Sequence, residues 1–337
     1  MNSYRILKAQ ALICALAAAT CLSAAAGEAA WPGFVYSPYK DITIGLDAGT
    51  HRISPLRAID ADTPAAAAPT TLTLAFARGE CGEENWAGHD AQAFADTNVA
   101  ELVRADIDYV VSTGGQGNVF NCGSDAGMER FIARYASSHL IGFDLDIESG
   151  QTSEQIAALV RRVKAAQARH PKLRFSFTLP TFAASDGSGA SLNALGQRVL
   201  QSIRRHGLKA YTINLMVMDY GAASPSACVV AAGRCDMGRS AIQAAHNLHT
   251  RYGLPFSQIE LTPMIGVNDV KENVFTLDDA RLVAKFVREN KLAGLHFWSL
   301  DRDAPCPGDA TEVSDRCSSM LAQPRGAYAQ TFMEALR

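Results

Sequence analysis

The sequence predicts a single α/β domain folded as a closed (β/α)8 barrel, on three observations. Apolar runs of strand length alternate with amphipathic segments of helical period along almost the whole chain. The strand-like runs number eight, which suits a closed barrel better than an open doubly wound sheet. The third observation is the loop asymmetry. Connections from helix to strand are short, as in HPK (170–172), HGLK (206–209) and NKLAG (290–294). Those from strand to helix are long, covering residues 78–90, 180–190, 220–238, 264–276 and 299–320. In α/β barrels the long strand-to-helix loops build the functional face.

The elements follow in order. Residues 1–26 place Arg5 and Lys8 before the apolar stretch ALICALAAA and the small residues SAAAG, the build of a secretory signal peptide too short for a membrane span. Cleavage is expected near Ala26 or Ala30, and Thr20 before Cys21 fits a lipid-anchor signal poorly. WPGFVYSPYKDITI then supplies a first strand around Phe34–Tyr39. The Ala/Pro-rich stretch 61–71 reads as a surface crossover, since too little chain precedes it to form a domain. The remaining strands are read at 71–77, 108–115, 140–148, 173–180, 210–220, 259–266 and 292–300. Helical period is read at 93–105, 128–138, 153–170, 191–207, 240–253 and 277–290. Thr152-Ser153-Glu154 and Thr276-Leu277-Asp278-Asp279 mark helix starts, and Gly207 and Gly253 mark ends. Residues 31–337 thus form one barrel domain.

Charge and cysteines narrow the class further. Losing Arg5 and Lys8 with the leader takes the formal net charge from -3 to -5, so no basic surface is predicted to attract nucleic acid or an anionic membrane. Of the eight cysteines, Cys14 and Cys21 lie in the leader, leaving six. An even count in an exported chain favours disulfides, although six cysteines allow fifteen pairings. Closeness in the chain suggests Cys228 with Cys235 and Cys306 with Cys317, leaving Cys81 for Cys122. No C-x-x-C pair and no histidine at ligand spacing point to a metal, and no cofactor is expected. Gly114-Gly115-Gln116-Gly117 lacks the pattern of a phosphate loop.

Chemistry concentrates in LIGFDLDIESG, residues 140–150. Asp144, Asp146 and Glu148 lie two residues apart, so in a strand all three carboxylates share one face. Burying like charges together costs several kcal/mol unless protons are shared, so this arrangement reads as a site rather than a fold device.

Four motifs in order resemble glycoside hydrolase family 18, the chitinase family, over most of the chain. IGFDLDIE (141–148) is similar to the family's strand-four D-G-x-D-x-D-x-E, with Ile141 where the first Asp stands. Ser112-Thr113-Gly114-Gly115 resembles the strand-three S-x-G-G. Met216-Val217-Met218-Asp219, followed by Tyr220, resembles the strand-six M-x-Y-D, and Trp298 in LHFWSLDRD resembles the strand-eight tryptophan. The nearest flavour is the bacterial and archaeal subgroup.

The resemblance implies a retaining hydrolysis in which the substrate's own acetamido oxygen attacks the anomeric carbon. Glu148 is then the acid, Asp146 turns between Asp144 and Glu148 and orients the acetamido group, and Asp144 anchors the network. Asp219 and Met216 are implied at the acetamido group, and Trp298 beneath the distorted sugar. Tyr39 is a further substrate-binding candidate, as are Asn268 and Asp269 after strand seven. Trp86, in the Cys81 loop, is expected either at a neighbouring subsite or packed beneath the disulfide. Met218 stands where the family has a tyrosine, and Tyr220, two residues on, is expected to substitute for it. His296 reads as a hydrogen-bonded core histidine. The expectation is a secreted or periplasmic monomer cleaving chitin or chito-oligosaccharides. The alternatives are an endo-β-N-acetylglucosaminidase, a sugar-binding lectin on a decayed barrel, and a metal-dependent hydrolase using the three acids as ligands.

Overall fold

A computed structural model describes residues 33–54, 68–308, 312–321 and 323–337. The expected signal peptide and most of the Ala/Pro-rich crossover lie outside the described residues.

Eight strand positions close into a barrel, each in one of the predicted runs. The first, β1, comes in two pieces, Val35–Tyr36 and Tyr39–Asp41. It is followed by β2 (Thr71–Glu80), β3 (Asp108–Gly114), β4 (Leu140–Asp146), β5 (Arg174–Pro180), β6 (Thr212–Met216), β7 (Ile259–Thr262) and β8 (Gly294–Leu295). Every neighbouring pair is parallel and runs in sequence order. Closure comes from the break in β1. Val35 and Tyr36 pair with Gly294 and Leu295, whereas Tyr39 to Asp41 pair with Thr73 to Ala75, so one strand joins both ends of the sheet.

Alternation along the strands sorts the side chains. Phe143, Leu145, Phe175, Phe177, Ile213 and Leu215 are buried between the barrel and its helices, and Phe143 meets Phe131 of a flanking helix at 4.8 Å. The alternate positions fill the barrel, and in the middle layer they are polar: Ser112, Asp144, Ser176, Asn214 and Thr262, all buried. Lower down, Arg174 meets Glu260, and His296 bonds Glu260 at 3.0 Å and Ser37 at 2.9 Å. His296 is therefore the hydrogen-bonded core residue the sequence suggests.

Among the described residues seven α-helices surround the barrel: α1 (Ala91–Arg104), α2 (Asp125–Arg134), α3 (Ser153–Arg169), α4 (Ala194–His206), α5 (Met237–Tyr252), α6 (Leu277–Asn290) and α7 (Ala327–Leu336). The start signals act as capping boxes, Thr152 with Gln155 and Thr276 with Asp279. Gly207 and Gly253 end α4 and α5 in the left-handed conformation. The sequence reading missed α7. This helix is held by Asp303, whose carboxylate accepts the Tyr328 and Ala329 amides, a tertiary tie that no local pattern announces.

The cysteines pair as closeness suggests, Cys81–Cys122, Cys228–Cys235 and Cys306–Cys317. All six lie in the loops that follow strand C-termini, so the bridges staple the open face. None of the described helices is long and apolar enough to cross a membrane.

Candidate active site

The acid run of β4 opens at that face. Asp144 sits deepest, and its carboxylate accepts four hydroxyl hydrogen bonds. Tyr39 Oη and Ser112 Oγ donate to Oδ2 at 2.9 and 2.7 Å, and Ser176 Oγ and Thr178 Oγ1 donate to Oδ1 at 2.7 Å each. Three strands, β1, β3 and β5, thus contribute donors to one carboxylate, filling its acceptor positions. Asn214 extends the set, donating to Tyr39 Oη at 3.1 Å and Thr178 Oγ1 at 2.9 Å and accepting from Thr262 at 2.8 Å.

Asp146 lies one layer higher and is buried, and its Oδ1 has no partner among the described residues. Glu148, half-buried, follows the end of β4 and is hydrogen-bonded to Asp146. The two glycines of Ser112-Thr113-Gly114-Gly115 let the chain pass close by. A Cβ on Gly114 would come within 2.1 Å of the Asp146 carbonyl, and one on Gly115 within 2.6 Å of the Phe76 ring. Both have positive φ, which glycine adopts without strain.

Burial pushes the Glu148 carboxyl up, the Asp146 hydrogen bond opposes it, and the charges of Asp219 and Asp269 add to the rise, to about 7. Asp146 is held well above the ordinary carboxylate range by burial, Glu148 and Asp144. Burial also raises Asp144, against its four hydroxyl donors. Asp146 and Glu148 therefore titrate as a coupled pair that keeps a proton near neutrality, over an Asp144 whose partners all favour the anion.

These acids open into a cavity of about 120 Å³ lined by Tyr39, Phe76, Gln116, Thr178, Met216, Met218, Asp219, Thr262, Met264, Asp269 and Trp298 together with Asp146 and Glu148. This is well below the roughly 300–1,000 Å³ of an enclosed small-molecule site. It suits one ring, with the rest of a longer ligand lying along the open face. Trp298 stacks on Phe76 with ring centroids 5.5 Å apart and planes at 14°, and meets Tyr39 at 6.0 Å. The wall thus combines an aromatic cluster with carboxylates.

Asp219 caps the loop after β7. Its Oδ1 accepts the Val270 amide at 2.8 Å and its own amide donates to Asn268 Oδ1 at 3.3 Å. Burial raises its carboxyl, opposed by the Val270 N–H.

The structure brings together Asp144, Asp146, Glu148, Tyr39, Met216, Asp219 and Trp298, as the sequence reading grouped them. Two expectations are corrected. Trp86 is fully buried, stacked on Phe94 at 4.1 Å, with its Nε1 donating to Tyr135 at 2.8 Å; it is core beneath the Cys81 loop and does not reach the cavity. Tyr220 does not take the place left by Met218. The strand ends at Met216 and Asp219 adopts φ +49°, so strand alternation no longer governs Tyr220. Its hydroxyl is buried without a partner among the described residues, and Met218 itself lines the cavity.

Sequence reasoning missed Phe76, Thr178 and Met264. Phe76 lies within an apolar strand, where an aromatic looks like ordinary core, and Thr178 and Met264 are residue types that signal nothing alone. Among the described residues no group of three or more His, Cys, Asp or Glu has the placement to hold a metal ion.

No family model matches the sequence. The chain is 27% identical over 330 residues to a probable bifunctional chitinase/lysozyme of Escherichia coli (strain K12), an alignment covering 90% of this chain and 34% of that protein. It is 29% identical over 302 residues to Endochitinase 11 of Metarhizium anisopliae, covering 82% and 54% respectively. The chain therefore spans between a third and about half of the length of these curated relatives. Among solved structures, the catalytic domain of the hyperthermophilic chitinase from Pyrococcus furiosus matches with a TM-score of 0.67 at 26% identity, over 91% of this chain and 97% of that one. Catalytic-site mutants of that domain have been crystallised with chito-oligosaccharides. A putative chitinase A from Streptomyces coelicolor shares the fold, with a TM-score of 0.51 at 14% identity over 79% and 92% of the two chains.

Proposed function

We infer, from the premise that the chain belongs to the chitinase-like glycoside hydrolases of family 18, that it hydrolyses β-1,4 bonds between N-acetylglucosamine units with retention of configuration. The observation that carries this reading is the proton-sharing Asp146–Glu148 pair at the mouth of a cavity walled by Trp298.

The geometry supports the following steps. Glu148, protonated up to about pH 7, donates its proton to the glycosidic oxygen as the bond to the anomeric carbon breaks. The acetamido oxygen of the same sugar attacks that carbon, giving a cyclic oxazolinium ion with no covalent bond to the protein. Asp146 offers its unpartnered oxygen to the acetamido N–H, which becomes more acidic as the ring forms. Asp144, saturated by hydroxyl donors, remains the buried anion that keeps Asp146 in its working state. Its acceptor positions are filled, which favours Asp146 acting from the Glu148 side instead of turning between the two acids. Glu148, now the carboxylate, takes a proton from water, and that water opens the ring from the face the leaving group vacated. Asp219 and Met216 border the acetamido group, and Trp298 lies against the apolar face of the sugar.

The leader-like residues 1–26 and the three disulfides support export to an oxidising compartment, with residues 31–337 as one catalytic domain. Cleavage of peptidoglycan glycans is a second reading, favoured by the chitinase/lysozyme name of the Escherichia coli relative. The test is a product profile of the wild type on chitin, soluble chito-oligomers, peptidoglycan and an N-glycan, with Glu148→Gln alongside. The expected result is release of short chito-oligomers by the wild type in the presence of EDTA, with none from the variant although it still binds them. Undiminished hydrolysis by Glu148→Gln would remove the acid assignment.

A further inference from the structure

We propose that Asp269, presented by a loop that Arg302 grips from behind, is a positioning residue for the proton of Glu148 and sets the alkaline limit of activity. The proposal rests on Glu148 being the general acid.

The loop after β7 has no regular structure at this point, yet it is tied on every side. Arg302 follows β8, is 1% exposed, and spends its guanidinium on main-chain carbonyls. Nη1 donates to Ser314 O at 2.5 Å, and Nη2 to Ile265 O at 3.4 Å and to Val267 O. The next residue, Asn268, is fully buried and donates to Met264 O and Gly266 O at 2.9 and 3.1 Å while accepting the Asp219 amide. Val270 donates back to Asp219. Asp269 lies between these two anchored residues and faces the cavity with Glu148.

Among the described residues no carboxylate lies within ion-pair distance of Arg302. Burial lowers the Arg302 guanidinium from its ordinary value, the charges of Asp269, Asp219 and Asp315 oppose this, and an arginine stays protonated at working pH. The acids that feel it most are Asp269 and Asp219, the pair that flanks Glu148, with Asp315 farther out. The groups facing Glu148 are Asp146 and Asp144 from β4, Tyr39 from β1, Asp219 after β6 and Asp269 after β7. Of these, Asp146 is bonded to Glu148, Asp144 and Tyr39 to each other, and Asp219 to a main-chain amide. Among the described residues Asp269 is the wall acid whose side chain makes no hydrogen bond or ion pair, which leaves it to act on the Glu148 proton across the cavity. Arg302 holds this loop by its main-chain carbonyls and is not itself part of the cavity lining.

The experiment is a 13C NMR titration of Glu148 in the free protein, together with the pH profile of kcat/KM on a chromogenic chitobiose glycoside, for the wild type, Asp269→Asn, Asp269→Glu and Arg302→Lys. Asp269→Asn is nearly isosteric and lies on the cavity wall, so it tests the charge without a packing change. The Glu148 titration and the alkaline limb are both expected to move down by about half to one pH unit, the effect of one charge across a partly wet cavity. Asp269→Glu is expected to restore the wild-type limb. Arg302→Lys, which keeps the charge but loses the forked grip, is expected to move the limb the same way by a smaller amount. An unmoved titration in Asp269→Asn would overturn the proposal, and an unmoved limb in a folded Arg302→Lys would remove the part assigned to Arg302. A wild type whose Glu148 titrates high but which cleaves no chitobiose glycoside would refute the functional reading and leave the electrostatic one standing.

Discussion

Glu148→Gln is expected to stabilise the protein in mild alkali while removing its activity. Burial and the neighbouring acids lift the Glu148 carboxyl from its ordinary 4.5 to about 7. Because the folded value lies above the unfolded one, the folded protein keeps the proton to higher pH. The stability linked to that proton is complete below about 4.5 and is lost as pH rises through 7. At about 1.36 kcal/mol per unit, the wild type gives up about 3 kcal/mol across that window. The amide has no proton to lose and escapes this. Relief of Asp146, which Glu148 helps to hold protonated, acts in the same direction. Equilibrium urea unfolding of the two proteins at pH 4, 6 and 8 measures the difference. The curves are expected to lie together at pH 4 and to separate by about 3 kcal/mol at pH 8, which corresponds to roughly 5 °C in Tm for a domain of this size. A difference independent of pH, or a wild type more stable than the variant at pH 8, would refute the reasoning that Glu148 is an acid strained by its surroundings.

Other outcomes follow from single contacts. Tyr39→Phe removes one of four hydroxyl donors from Asp144 and is expected to lower kcat/KM about tenfold and stability by about 1–2 kcal/mol, a charged hydrogen bond being worth about that much; steady-state kinetics and urea melts report both. The two tryptophans should separate cleanly. Trp86→Ala is expected to cost about 3–5 kcal/mol of stability with KM unchanged, and Trp298→Ala to raise KM at least tenfold, read on the same oligosaccharide. Replacing Cys81 and Cys122 by Ser opens a loop of separation 41 and is expected to lower stability by about 4 kcal/mol, against about 2.5 kcal/mol for Cys228 and Cys235 at separation 7. Thermal unfolding of the two double variants checks the ranking.

Much of the fold was legible because it rests on local regularities. Buried parallel strands read as apolar runs, amphipathic helices show their period, and caps such as Thr152 and Gly253 are local chemistry. Asp144 and Asp146 share a face because they share a strand, which spacing alone states. That logic stopped where the strand stopped. Tyr220 was expected on the face of Met216 and Met218, but the chain leaves β6 and turns through a left-handed Asp219, so counting by twos fails there. The sequence leaves Trp86 between a subsite and the core for a different reason. A tryptophan in a loop looks available to a ligand until the packing of Phe94 and Tyr135 is known.

By itself the sequence determined the barrel, its open face and the order of the acids, because each follows from spacing or period, and nearness along the chain suggested the three disulfide pairs that the structure forms. Only the tertiary structure decided which groups meet across that face. It placed four hydroxyls from three strands on Asp144, set Phe76 against Trp298, and anchored the loop of Asp269 on Arg302. These residues lie tens to hundreds of positions apart, and their contacts arise from closure of the sheet, which leaves no trace in any local stretch of the chain. The proton of Glu148 belongs to the same class: its chemistry is a carboxyl group, but its titration near 7 comes from burial and from acids that other strands bring to it.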